Sequence, residues 1–340
     1  MPSPRPTPRA STGAHLEQRP QVVADAFTRA VAAARAYAGA TAPNPPVGCV
    51  ALDAAGAVLA CEGHERAGGP HAEAAAIQAC ERAGSAGRIH TLVVTLEPCN
   101  HCGRTPPCAD AILATSAQSV WIGAHDPNPH VAGGGASRLA AAGLAVRFID
   151  DLRVLNVAEL AHDARRLIAP FARWSRDGRP WITVKQALTR EGRMIPPAGR
   201  KTFTSETSLD FAHKLRRRAD AIITGSGCVL ADDPAFTVRR VRDHAGKRRF
   251  LVILDRRRRV PDSYERAAAA RGFDVWMRSD LAALPEELAA AGVIEALVEA
   301  GPTLTGSLLE LGLWDEHVTI RQGPLPGLPD RVDVRLRAAV

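Results

Sequence analysis

The sequence predicts an α/β protein of two domains, and three observations carry that expectation. Strand-like and helix-like segments alternate along most of the chain, the pattern of sheets layered with helices. The alternation is interrupted near residues 169–180 by a Pro- and Gly-containing stretch. At 340 residues the chain also exceeds one ordinary core and suits two domains of typical size.

Residues 1–20 are rich in Pro, Arg, Ser and Thr and hold a single Leu, too little apolar surface to offset the entropy of ordering. They are expected to form a disordered leader. The segment lacks the apolar stretch of a secretory signal, and seven cysteines, an odd and unevenly spaced set, do not read as a disulfide framework. A soluble protein of the reducing cytoplasm is expected, because no long uncharged apolar run is present to span a bilayer.

From Val22 to Ala38 apolar residues recur at helical spacing, and Gly39 follows as a stop. Val47 to Leu52 and Ala57 to Cys61 flank Asp53-Ala54-Ala55-Gly56, which predicts a hairpin. An alanine-rich helix from about His71 to Ala83, a strand His90 to Leu96, a helix from about Cys108 and a strand Ser119 to Gly123 follow. Gly133 to Gly135 opens a helix to Ala142, and a strand Ala145 to Ile149 closes a first domain over residues 21–150. Asp151 to Leu167 reads as a connecting helix and Ala169 to Pro180 as a linker. The second domain, 181–340, begins with a strand Trp181 to Ala187. It continues through strands near Ala221 to Thr224, Phe250 to Asp255, Phe273 to Trp276 and Val293 to Glu299. There is no P-loop, and Gly225-Ser226-Gly227 lacks the third glycine of a dinucleotide fingerprint.

The formal charge of +7 suits an anionic partner, either a nucleic acid or a phosphorylated metabolite. Most of the excess lies in Arg216 to Arg218, Lys247 to Arg249 and Arg256 to Arg259. These stretches read as a solvated basic face, without the interleaved aromatics of a single-strand-binding surface.

Pro70-His71-Ala72-Glu73 stands at the expected start of a helix, and Glu97-Pro98-Cys99 closes a strand, with Cys102 and Cys108 beyond it. One imidazole and two thiolates suit zinc and leave a fourth tetrahedral position open, as catalytic sites do. Glu73 stands where it can carry protons, and the H-x-E and P-C-x-x-C arrangement is the signature of zinc nucleobase deaminases. Isolated His-x-Glu pairs and paired thiols are mostly chance or core features; their order here, each at the end of an element, favours a site. Spacing alone favours Cys102 over Cys108 as the second thiolate. Cys49, Cys61 and Cys80, in strands and a helix, read as small buried hydrophobes.

The run Glu97-Pro98-Cys99-Asn100-His101-Cys102-Gly103-Arg104-Thr105-Pro106-Pro107-Cys108 resembles the bifunctional riboflavin-biosynthesis deaminase/reductase family. So do Pro43-Asn44-Pro45-Pro46-Val47-Gly48-Cys49, Gly63 to Glu73 and Asp126-Pro127-Asn128-Pro129, and the likeness covers most of residues 22–320. It implies a cytidine-deaminase-like three-layer α/β/α domain followed by a dihydrofolate-reductase-like α/β domain. It also implies zinc on His71, Cys99 and Cys108, with Cys102 at a variable position. The implied reaction is hydrolytic deamination of 2,5-diamino-6-(5-phosphoribosylamino)pyrimidin-4(3H)-one to 5-amino-6-(5-phosphoribosylamino)uracil, with NADPH reducing the ribosyl group in the second domain. Asn44, His64, His101, Asp126 and Asn128 would line the substrate pocket, and Arg104 would grip the phosphate, which a guanidinium can do in bidentate fashion. Ala187, Asp232, Gly301, Pro302, Thr303 and Leu304 would lie along the cofactor, with Arg239 and Glu299 at the second substrate.

Several reductase positions depart from the family's pattern. Ser-Leu-Asp-Gly-Arg becomes Thr189-Arg190-Glu191-Gly192-Arg193, the Trp-Ile-Thr/Ser segment becomes Thr202-Phe203-Thr204-Ser205, and Asp-Ser becomes Asp255-Arg256, a bulky cation for a small hydroxyl. The segment after Asp315-Glu316 looks shortened, interrupted by Pro324 to Pro329. Three other readings fit parts of the sequence: a deaminase-only paralogue supplying a pyrimidine-derived product of azapteridine type, a nucleic-acid base deaminase, and a scaffold acting through the second domain. The expected partners are a phosphorylated pyrimidine and further copies of the chain, in a homodimer or higher homo-oligomer, with neither membrane nor nucleic acid.

Overall fold

The computed structural model describes residues 18–100, 106–128, 133–196, 202–325 and 328–337. The expected leader falls, through residue 17, outside them. The chain divides into two compact units, Met1–Arg176 and Asp177–Val340.

The first unit follows the predicted order. Helix α1 (Pro20–Ala36) leads into the hairpin β1 (Gly48–Leu52) and β2 (Val58–Gly63), then α2 (Ala72–Arg82), β3 (Thr91–Val94), α3 (Cys108–Leu113), β4 (Ser119–Ile122), α4 (Gly134–Ala141) and β5 (Ala145–Phe148). The strands form one sheet in the order β2-β1-β3-β4-β5, antiparallel through β3 and parallel beyond. Successive strand side chains point to opposite faces, so each central strand feeds two cores. Cys49, Ala51, Leu92, Val94, Val120 and Ile122 pack with α2, α3 and α4. Val50, Leu52, Val93 and Trp121 pack with α1 on the other face. This is the three-layer α/β/α sandwich. Cys49 and Cys80 are fully buried in it as expected, whereas Cys61 is exposed, because β2 is an edge strand with a solvent-facing side.

The expected linker is not where the sequence placed it. Helix α5 (Val157–Asp177) runs straight through Pro170, leaving only Gly178-Arg179-Pro180 before the next strand. Its buried Leu160, Ala161, Ala164, Leu167 and Ile168 hold it to the first unit, so tertiary packing overrides the local cost of a proline.

The second unit contains β6 (Trp181–Leu188), α6 (Glu206–Arg218), β7 (Ala221–Gly225), α7 (Ser226–Asp232), β8 (Arg249–Leu254) and α8 (Asp262–Ala270). It continues with β9 (Phe273–Arg278), α9 (Leu284–Ala290), β10 (Glu295–Glu299), α10 (Pro302–Glu310), β11 (Glu316–Arg321) and β12 (Arg331–Leu336). The sheet order is β12-β11-β6-β10-β7-β8-β9, parallel throughout except β12. Helices α9 and α10 cover one face; α7 and α8, with α6 beside them, cover the other. The segment beyond Pro329 completes the sheet as β12, paired with β11 over six residues.

Candidate metal centre and second-domain crevice

His71 is the N-cap of α2 and has extended backbone geometry, φ −67° and ψ 160°. That frees it from the helical register which would otherwise turn His71 and Glu73 apart, since Glu73 alone belongs to the first turn. Cys99 follows β3, and Cys108 opens α3, its backbone N–H donating to Cys99 Sγ at 3.3 Å. Cys99 Sγ lies 3.6 Å and Cys108 Sγ 3.3 Å from His71 Nδ1, and all the ligand atoms lie within 4.8 Å of one another. Zinc–sulfur bonds of about 2.3 Å and zinc–nitrogen bonds of about 2.0 Å at a tetrahedral angle would set sulfur and nitrogen about 3.5 Å apart. The three residues therefore fit zinc as they stand. The competing Cys102 lies outside the described residues.

Electrostatics agree with that fit. The hydrogen bond from the Cys108 thiol, aided by His71, outweighs burial and pulls the Cys99 thiol down to about 4, and Cys108 is driven up by the same contact. The two thiols share one proton between them, and a dication lowers the cost of ionising both. Glu73 is 3% exposed, and burial pushes its carboxyl up to about 6.

Around the centre, the His64 ring meets the His71 ring edge-on at 5.1 Å. His64 Nδ1 lies 2.8 Å from Pro70 O, and its Nε2 lies 3.5 Å from Asn44 Nδ2. Burial lowers the His64 pKa, favouring the neutral ring. The structure thus brings together Asn44, His64, His71, Glu73, Cys99 and Cys108. His101 and Arg104 lie outside the described residues. Asp126 and Asn128 form a turn in which Asp126 Oδ1 accepts the Asn128 N–H at 2.8 Å.

One residue of the motif has a role its spacing did not announce. Glu97, 4% exposed, accepts the N–H groups of Gly133 and Ala136, each at 3.1 Å, and of Asp126 at 3.4 Å. It ties the start of α4 and the Asp126 turn to the loop carrying Cys99. Gly135 makes the approach possible, because a Cβ there would lie 1.8 Å from Pro98 O. Partial positive charge at a helix start favours such a carboxylate.

In the second unit, the chain leaves the C-terminal end of β7 toward β8 and that of β10 past β6 toward β11, in opposite directions. A crevice between such strands is where open α/β sheets bind ligands. Its walls are bare backbone: a Cβ on Gly225 would touch Leu304 at 3.5 Å, and one on Gly301 would touch Cys228 Sγ at 3.5 Å. Gly301, Pro302, Thr303 and Leu304 form the start of α10, whose free N–H groups suit a phosphate. Asp232 ends α7 and acts electrostatically on Cys228. Ala187 sits near the end of β6, two residues past Lys185, which stands in register with Glu299 of the neighbouring β10. These residues fit a dinucleotide.

Glu299 is held by both nitrogens of one guanidinium, with Arg216 Nε at 3.0 Å and Nη2 at 2.6 Å. Burial alone would raise its carboxyl, but Arg216, Lys185 and His213 bring it down to about 2. Arg239 joins the group through its backbone, donating N–H to His213 Nδ1 at 3.0 Å.

Here the structure corrects a sequence expectation, because two of the three arginine-rich stretches are not a solvated face. Arg216 is engaged with Glu299, and Arg218 spans Glu295 at 2.5 Å and Glu316 at 2.9 Å. Lys247 pairs with Asp220 at 2.9 Å and Arg249 with Asp243 at 2.6 Å. Lys185 and His213 were not singled out by the sequence, and Arg216 was read only as part of a solvated basic run. A signal existed in α6, whose buried Ser208, Ala212 and Leu215 mark an inward face that Arg216 adjoins.

Residues 22–124 match the cytidine and deoxycytidylate deaminase zinc-binding region, and residues 180–324 match the RibD C-terminal domain. The riboflavin biosynthesis protein RibD of Mycobacterium tuberculosis is 35% identical over 279 residues, covering 81% of this chain and 77% of that protein. Among solved structures, RibD of Acinetobacter baumannii superposes with a TM-score of 0.73 at 30% identity, covering 92% of this chain and 90% of that one. A Thermotoga maritima structure, titled a diaminohydroxyphosphoribosylaminopyrimidine deaminase/5-amino-6-(5-phosphoribosylamino)uracil reductase, gives 0.74 at 28% identity, covering 91% and 89%. With the zinc-binding region and the reductase domain on one chain, and that likeness running through both, the protein belongs to the RibD family of bifunctional riboflavin-biosynthesis deaminase/reductases.

Proposed function

We propose that the first unit converts 2,5-diamino-6-(5-phosphoribosylamino)pyrimidin-4(3H)-one to 5-amino-6-(5-phosphoribosylamino)uracil, releasing ammonia, and that the second reduces the ribosyl group with NADPH. The observation that carries the reading is the convergence of His71 Nδ1, Cys99 Sγ and Cys108 Sγ beside the buried Glu73. Zinc held there supplies Lewis-acid activation of water, lowering its pKa to about 7.

Glu73 carries the protons. Its carboxyl, raised to about 6, exchanges a proton readily near neutral pH. It accepts one from the attacking water, delivers one to a ring nitrogen, and protonates the departing amine, so that water and an amino group are exchanged for a carbonyl and ammonia. Neutral His64, fixed at Pro70 O, and Asn44 beside it present polar edges to the pyrimidine. Arg104 is assigned to the substrate phosphate.

In the second unit NADPH supplies the hydride. Gly301, Pro302, Thr303, Leu304, Asp232 and Ala187 would hold it, with Glu299 and Arg239 toward the sugar. Lys185 and Arg216 supply positive charge around Glu299.

The deaminase assignment is tested with zinc-loaded protein and the diaminopyrimidine substrate. Glu73→Ala should keep its zinc and lose ammonia release by about 10²- to 10⁴-fold, the usual weight of a general acid–base. Full activity in that variant would end the proton-carrying role. A homodimer in the cytoplasm completes the reading; exposed Val332, Val334 and Leu336 on the edge strand β12 support self-association.

A further inference from the structure

Arg239 stands on the segment that joins α7 to β8, and the start of that segment is strained. Asp233 has φ 42° and Phe236 φ 54°, both in the left-handed region that residues with a Cβ seldom adopt. Phe236 is also 3% exposed, packed in the core beneath α7 and α8. Such a backbone persists only where its surroundings over-determine it, and it gathers at functional sites.

Here four contacts hold the segment along its length. Tyr264 of α8 donates its hydroxyl to Pro234 O at 2.6 Å. Arg216 of α6, besides gripping Glu299, donates from Nη1 to Thr237 O at 3.3 Å, and its guanidinium lies 5.9 Å from the centre of the Phe236 ring. One turn earlier on α6, His213 Nδ1 accepts the Arg239 N–H at 3.0 Å. Arg240 Nε donates to Asp210 Oδ1 of the same helix at 2.7 Å. The Arg239 side chain is the exception: it is exposed, and among the described residues no carboxylate pairs with it. A rigid segment thus presents one unpaired guanidinium.

His213 fixes the backbone of that residue from behind. At 3% exposed it is too buried to meet a substrate. Because the Arg239 N–H is a donor, His213 Nδ1 must offer its lone pair, which places the ring proton on Nε2. Burial first, then Arg216 and Arg239, lower the pKa of the ring to about 4, so the acceptor is intact at neutral pH. Loss of that acceptor would leave the N–H without its partner and let the strained segment relax.

We propose that His213 is a positioning residue of the second reaction, pinning the Arg239 backbone so that the strained segment aims the guanidinium at the sugar of the second substrate. The proposal rests on the reductase reading given above, which places Arg239 and Glu299 at that substrate.

The test follows NADPH oxidation by the full zinc-loaded chain supplied with 5-amino-6-(5-phosphoribosylamino)uracil. His213→Met, which fills the space with an adaptable side chain and no strong acceptor, should raise the KM for this substrate about tenfold, the scale expected of a misplaced binding group. Its kcat, and its NADPH affinity read by tryptophan fluorescence, should stay within about threefold of wild type. His213→Leu should behave in the same way, so that a failure of one variant to fold leaves the other to decide. His213→Asn, which keeps an acceptor, should bring KM back to within about threefold of wild type. In an Arg239→Ser background, His213→Met should add less than about twofold to KM, since a residue that acts through Arg239 then has nothing left to aim. A histidine that merely supports the fold would add its full factor in that background and weaken NADPH binding as well. Either result would overturn the proposal, as would an unchanged KM in His213→Met and His213→Leu. Absence of NADPH oxidation by the wild-type chain would overturn the reductase reading itself, so the two failures are distinguishable.

Discussion

Cys108 shows how far a residue's role depends on its surroundings. Spacing offered Cys102 as the partner of Cys99, and only the resemblance favoured Cys108; the fold puts Cys108 Sγ 3.3 Å from His71 Nδ1. Cys108→Ser should therefore lose stoichiometric zinc, measured by metal analysis after dialysis, whereas Cys102→Ser should retain it. Retention by Cys108→Ser together with loss by Cys102→Ser would reverse the assignment. His71, Glu73 and Cys99 were legible because their residue types match the chemistry and each stands at the end of an element. Glu97 was legible as part of the motif but not as a clamp, because its three N–H partners come from residues 126–136, and nothing local links them. Arg216 was hidden by a different cause: a charge run looks the same in sequence whether its carboxylates are distant in the chain or absent.

At the level of elements, the predicted strands and helices form because alternation and helical spacing are local signals. The exceptions are where packing wins. Helix α5 continues through Pro170 because its apolar stripe is buried against the first unit. Helix α4 is set against the metal-bearing loop by Glu97 and by the absence of a side chain at Gly135. Gly135→Ala forces a Cβ onto Pro98 O, and overpacking of this kind costs about 1–3 kcal/mol. The variant should melt earlier and give up zinc to a chelator faster than the wild type. An unchanged melting temperature would show that α4 moves freely and that its seating does not support the centre.

For the whole molecule, the second unit's buried charges set its response to acid. His213 is 3% exposed; burial first, then Arg216, Arg239 and Arg240, lower its pKa from 6.5 to about 4, with Glu299 opposing. Unfolding releases it to its ordinary value, so between those limits the unfolded chain binds more protons and stability falls as pH drops from about 6.5 toward about 4. Glu299, depressed from 4.5 to about 2 by Arg216, Lys185 and His213 against its burial, contributes stability that is complete above about 4.5 and is lost as pH falls toward 2. Its contribution is on the order of 3 kcal/mol. Thermal melts of the full chain from pH 7 to pH 4 should show a falling midpoint, and His213→Asn, which keeps an acceptor for the Arg239 N–H, should flatten that slope. An identical slope in the variant would place the acid sensitivity elsewhere. The sequence by itself determined two α/β domains, the order of the elements in the first and of five strands in the second, and His71, Glu73 and Cys99 as candidates for zinc and proton chemistry, since these rest on periodicity and on motifs within about 40 residues. Only the tertiary structure decided which charges are buried and paired and where the first unit ends. Those outcomes depend on pairs such as Arg216 with Glu299, 83 residues apart, that chain order does not join and strand order does.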